Sequence, residues 1–184
     1  MTSSETGYLL NDDQVADFII NGYHIVKPSF SKNFHSEVYT ALEGLPTNPG
    51  DAVNDAVPAL DQIYTHPSVV GALSSLLGSD YTMAEHRHCH RNHPGTRSQM
   101  WHQDNLNIPM LEDGHGRVPD HVRSVLVMYY PQNVEANMGP TALIPGSHLF
   151  TSAPDRNASQ GNFRDQIIAT VDAGSLLILH YDIW

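Results

Sequence analysis

Around Gly78 the spacing of apolar residues changes, and that change limits the folds open to this chain. Before it, apolar side chains recur at three- and four-residue intervals, the period of a helix with one buried face. Asp12 and Asp13 can cap a helix carrying Val15, Phe18 and Ile19, with Gly22 as its stop. Tyr23 to Lys27 reads as a short strand. Ser31 can cap a second helix through Phe34, Val38 and Leu42, which Gly44 ends. A Pro- and Asn-rich connection from Pro46 to Pro58 follows. Pro67 then suits the first turn of a third helix with Val69, Val70, Leu73, Leu76 and Leu77 inward, ended by Gly78.

From Asp80 onward short apolar runs are separated by Gly and Pro turns, the pattern of strands. The spacing predicts strands at Tyr81–His90, Ser98–Leu106, Val122–Tyr130, Thr141–Ile144, Gln166–Val171 and Ser175–Ile183. Helices followed by a run of strands point to an α+β, mainly β architecture: a β-sandwich or jelly roll decorated with helices. The chain is read as a single domain over 1–184, with a helical part at 1–79 and jelly-roll strands at 80–184. The segment Asn107 to His121, with two Gly, two Pro and three acidic residues, is either a mobile lid or a variable surface loop.

Within the strand region, His102 and Asp104 flank Gln103. Residues i and i+2 of an extended segment share a face, so an imidazole and a carboxylate lie side by side. Those are two of the three ligands of a non-haem Fe(II) facial triad. The same pair also suits a purely structural hydrogen bond. By the same alternation Trp101 and Gln103 face away, Trp101 towards the core.

Charge excludes other classes of partner. The net charge of −11 leaves no basic stripe for a nucleic-acid backbone and disfavours an anionic membrane surface. Cys89 is the only cysteine, so there is no intramolecular disulfide and no Cys-based zinc site. The first residues lack the basic-then-apolar pattern of a secretory signal, and no apolar run reaches membrane-spanning length; a reducing cytoplasm is expected. His86, His88 and His90 form a second cluster on one strand face. It admits three readings: the opening of a cupin-like metal site, the lining of a pocket for an acidic ligand, or a polar strand near a barrel mouth. The first lacks the Glu that cupins supply, since none occurs between His90 and His102. Gly146, Ser147 and His148 read as a structural turn rather than a ligand group.

Three stretches together carry a family resemblance: Trp101-His102-Gln103-Asp104, Ile144-Pro145-Gly146-Ser147-His148, and Asp172-Ala173-Gly174 opening the apolar strand Ser175 to Leu179. They resemble the phytanoyl-CoA dioxygenase family of Fe(II)- and 2-oxoglutarate-dependent oxygenases, over nearly the whole chain. The resemblance implies a double-stranded β-helix with N-terminal helices packed on one sheet. It implies that His102 and Asp104 bind Fe(II), that Thr141 contacts the 2-oxoglutarate co-substrate, and that a small organic molecule is hydroxylated with O2, releasing succinate and CO2. Related halogenases lack the carboxylate at the position of Asp104, so hydroxylation is the favoured outcome. A catalytically silent jelly-roll binding protein is the alternative.

The resemblance also places a second iron-binding His on the strand that Gly174 opens, and an Arg for the far carboxylate of 2-oxoglutarate beyond it. The chain reads His180-Tyr181-Asp182-Ile183-Trp184 there. By that alignment the ligand follows Trp184, which reads as C-terminal truncation; His180 is the substitute within the chain. Neither substrate identity nor oligomeric state is legible in the sequence.

Overall fold

The computed structural model describes residues 6–104, 122–150 and 161–184. Helix α1 spans Asp12–Asn21. Its cap is Asn11 rather than either aspartate: the Asn11 side chain accepts from the Gln14 backbone N–H at 2.8 Å, and the Gln14 side chain accepts in return from the Asn11 N–H at 3.0 Å. This reciprocal box satisfies two donors that a helix start leaves open, and a cap at Asp12 would make only part of it. Gly22 ends the helix with φ at 79°, where any Cβ would lie 2.4 Å from His148 Nδ1. Strand β1 (Tyr23–Val26) follows at once.

Helix α2 spans Phe34–Glu43 and begins after Asn33, two residues later than a Ser31 cap would start it. Ser31 contributes its carbonyl instead, which accepts from the Phe34 N–H at 3.1 Å. Two short helices not expected from the sequence occur here, α3 (Val53–Ala56) inside the Pro-rich connection and α4 (Ala59–Tyr64) directly after it. Both are held by burial of Val53, Leu60 and Ile63 rather than by a sustained period. Helix α5 (Pro67–Leu77) has Pro67 in its first turn and buries Val69, Leu73 and Leu76; Val70, expected inward, is exposed.

Strands β2 (Val125–Tyr129) and β5 (Leu176–His180) complete a three-stranded antiparallel sheet in the order β1-β5-β2, with Ile25 opposite Leu177 and Met128 opposite the same residue. A second, two-stranded sheet pairs β3 (Ala142–Leu143) with β4 (Ile167–Ile168). The central strand β5 explains why its sequence reads as an unbroken apolar run. Leu176 and Ile178 face the helices, together with Phe18, Val38, Ile63 and Val69. Leu177 and Leu179 face the other way, onto Leu143, Ala169 and Ile183. A strand covered on both faces has no polar side to alternate.

Two expected strands are corrected. Tyr81–His90 and the described part of Ser98–Leu106 are not assigned to any sheet. A strand is defined by its hydrogen-bonded neighbour, and among the described residues no neighbour pairs with either segment. The expected lid at Asn107–His121 lies outside the described residues.

Candidate metal site

Although it joins no ladder, the segment at 101–104 keeps the period of an extended chain. Trp101 and Gln103 are half-buried, while His102 and Asp104 are exposed. Alternation therefore does bring the imidazole and the carboxylate onto one open face. His102 Nε2 stands 3.7 Å from Asp104 Oδ1. His102 Nδ1 lies 2.7 Å from the Met100 carbonyl oxygen, which can only accept, so Nδ1 carries the proton and donates. In the neutral ring the lone pair is then on Nε2, the nitrogen on the side of the carboxylate. That tautomer suits a metal-binding imidazole, whose other nitrogen is usually fixed by such a bond. An imidazole nitrogen and a carboxylate oxygen form a donor set that fits Fe(II).

A second extended stretch runs alongside. Between His86 and Arg91 exposure alternates in the same way: His86, His88 and His90 face outward, while Arg87, Cys89 and Arg91 turn in. The inward residues tie the stretch to the helical part. Arg87 Nε donates to the Asp51 carbonyl at 2.9 Å, and Arg91 donates to the carbonyls of Leu42 and Leu45. On the outward side His86 Nδ1 lies 2.6 Å from the Tyr181 hydroxyl. His88 Nδ1 accepts from the Asn48 amide at 3.2 Å. The rings form a row, His86 to His88 at 5.8 Å and His88 to His90 at 5.9 Å. Burial lowers the His90 pKa, with His88, His102 and His86 adding to the effect and Asp104 opposing it. Burial also raises the Tyr181 pKa, and the Asp104 charge adds to it. The histidine row, Tyr181 and the His102–Asp104 pair thus share one electrostatic environment.

His180, the substitute ligand, forms no metal-holding group with His102 and Asp104 among the described residues. Its ring is 4.7 Å from that of His148 and 6.4 Å from that of Phe18. His148 Nε2 in turn donates to the Ile19 carbonyl at 2.9 Å, locking the turn of residues 146–148 onto the end of α1. The expected structural role of that turn is what the contacts show. Burial pulls the His180 pKa down to about 4; His148 deepens the shift and Asp182 opposes it. Among the described residues no group of three His, Cys, Asp or Glu side chains is arranged to hold a metal ion.

Thr141 is half-buried beside the inner face of β2. Its hydroxyl pairs with that of Tyr130 at 2.9 Å and lies 3.7 Å from Met128 Sδ. No hydrogen bond among the described residues links it to His102 or Asp104. Tyr181 and Asn48 had no sequence signal, because their partners lie 95 and 40 residues away.

A family profile described as Phytanoyl-CoA dioxygenase (PhyH) matches residues 21–184. A search of curated proteins returned no match. Among solved structures, the chain is similar to HygX from Streptomyces hygroscopicus with nickel and 2-oxoglutarate bound: TM-score 0.70, 13% identity, covering 95% of this chain and 79% of that one. It is also similar to SnoK, a non-haem α-ketoglutarate-dependent carbocyclase from nogalamycin biosynthesis, with TM-score 0.55, 14% identity, and coverage of 95% and 76%. AviO1 from Streptomyces viridochromogenes Tue57 gives 0.55, 13%, and 95% and 86%. At such identities the likeness is one of fold.

Proposed function

The chain belongs to the phytanoyl-CoA dioxygenase family, and on that footing we propose that it hydroxylates a small organic substrate, with His102 and Asp104 as iron ligands. The family's co-reactants are Fe(II) and 2-oxoglutarate, and HygX has been seen with iron and with nickel plus 2-oxoglutarate. The observation that carries the assignment is the setting of the His102 ring: Nδ1 donates to the Met100 carbonyl, and Nε2 is thereby turned towards Asp104, 3.7 Å away.

With iron and 2-oxoglutarate bound, O2 would oxidise the keto acid to succinate and CO2 with one oxygen atom and place the other into a substrate C–H bond. The protein's own part is to hold the two ligands on one face and to present Thr141 to the co-substrate. As an iron ligand Asp104 would take the place that related halogenases leave to a halide, which favours hydroxylation. The strands of the two sheets are read as part of a double-stranded β-helix, supported by the likeness to HygX. A single cysteine, with no partner for an intramolecular disulfide, supports the proposal of a reducing compartment such as the cytoplasm.

The test is succinate release from 2-oxoglutarate with Fe(II) and O2, followed by mass spectrometry. Fe(II)-dependent succinate that falls to the level of iron alone in His102→Ala and Asp104→Ala is the expected result. No succinate together with no metal binding would favour a catalytically silent binding protein.

A further inference from the structure

A metal site needs its ligands held still, and strand ladders usually do this work. Residues 100–103 have no backbone–backbone hydrogen bond to a neighbouring strand among the described residues. What fixes them is their inward face. The Trp101 indole N–H donates to the Gly161 carbonyl at 2.8 Å, and the ring packs edge-on against Phe163 at 5.4 Å. The Gln103 side-chain amide donates to the backbone carbonyl of Asp182, in the segment that follows β5. That segment is itself pinned: the Trp184 N–H donates to the buried Ser147 hydroxyl at 2.9 Å, and the Ile183 N–H to the His180 carbonyl at 3.0 Å. Gln103 thus lies between the two outward ligands and fastens their backbone to the end of the central strand.

We propose that Gln103 is a positioning residue for the iron site: its amide, bound to Asp182 on the face opposite the ligands, sets the register and spacing of His102 and Asp104. This rests on the ligand assignment of the preceding section. The physical reason is leverage. His102 and Asp104 share a backbone with Gln103 through single peptide links, so freedom at Gln103 becomes freedom at both donor atoms. Outer partners of metal ligands commonly carry ~10–100-fold in metal affinity, because a mobile ligand loses entropy on binding that a fixed one has already lost. Trp101 supplies a second peg. Alone, however, it leaves the chain free to rotate about one anchored point.

Ni(II) affinity in the presence of 2-oxoglutarate, measured by titration calorimetry alongside the thermal midpoint of the metal-free protein, tests this. Gln103→Met keeps the length and loses the donor; Gln103→Glu places a carboxylate against a carbonyl. Affinity weakened roughly tenfold or more in both, with thermal midpoints close to wild type, is expected. A residue that merely stabilised the fold would move the midpoint and leave affinity in the folded protein unchanged. Unchanged affinity in a folded Gln103→Met protein overturns the positioning role and leaves the ligand assignment intact. If Gln103→Met fails to fold, Gln103→Asn, which draws the amide back by one methylene, is read by the same criteria. Wild-type protein that binds no Ni(II) overturns the ligand assignment, and the positioning role with it.

Discussion

Single atoms decide whether His102 and Asp104 are ligands or an ordinary surface pair. The proton on His102 Nδ1 is fixed by a carbonyl two residues back, so the ring orientation that presents Nε2 to Asp104 does not depend on any long-range contact. Ser147 is the structural counterpart, anchoring the segment after β5. Its hydroxyl is fully buried and accepts the Trp184 N–H, while the Ile144 N–H donates to the Trp184 carbonyl. Ser147→Ala leaves that N–H without its partner, so a loss of about 1–3 kcal/mol in urea unfolding is expected. A change inside measurement error would show that solvent replaces the hydroxyl. Phe18 belongs to the same scale: it is fully buried between α1 and the sheet, and Phe18→Ala is expected to cost about 3–5 kcal/mol in the same measurement.

At the scale of elements, β5 organises the molecule, and its end carries a built-in sensitivity to acid. His180 is pressed between Phe18 and His148, with Asp182 close by at 3.8 Å. Its folded pKa, about 4, lies below the ordinary imidazole value of 6.5, so the unfolded chain binds the proton more readily. Stability from this group is therefore full above about pH 6.5 and is lost as pH falls from there towards 4. His148, also lowered by burial, acts in the same direction. Urea midpoints that fall across this window in wild type, and fall less in His180→Phe, are expected; parallel curves would contradict it. Much at this scale was legible in the sequence. Gly22, Gly44, Pro67 and Gly78 mark helix ends because their backbone chemistry is local. The run from Leu176 to Leu179 marks a strand because both its faces are covered. The failures are equally physical. Tyr81–His90 has strand composition, yet pairing is a property of two segments. The cap at Asn11 rather than Asp12 turned on one reciprocal bond to Gln14. In the candidate site, alternation put His102 and Asp104 on one face and the family resemblance named them as ligands, whereas the Tyr181–His86 and Asn48–His88 contacts join parts of the chain that no local pattern connects.

For the whole molecule, the fold divides labour between two faces of one small sheet. The helices cover one face through Phe18, Val38, Ile63 and Leu176 and supply most of the buried apolar surface. The other face, with Leu177, Leu179 and Leu143, packs against Tyr130, which follows β2 and bonds to Thr141 just before β3. No helix among the described residues is long and apolar enough to cross a membrane. A net charge of −11 gives the chain as a whole a field that attracts divalent cations, which makes nonspecific metal uptake the result to guard against. The measurement that tests the central claim most directly is Ni(II) binding with 2-oxoglutarate present, compared among wild type, His102→Ala and His180→Phe at matched ionic strength. Loss of the saturable site in His102→Ala, with His180→Phe retaining it, is predicted; retention in His102→Ala, or loss in His180→Phe, would contradict the assignment of the metal to the His102–Asp104 face.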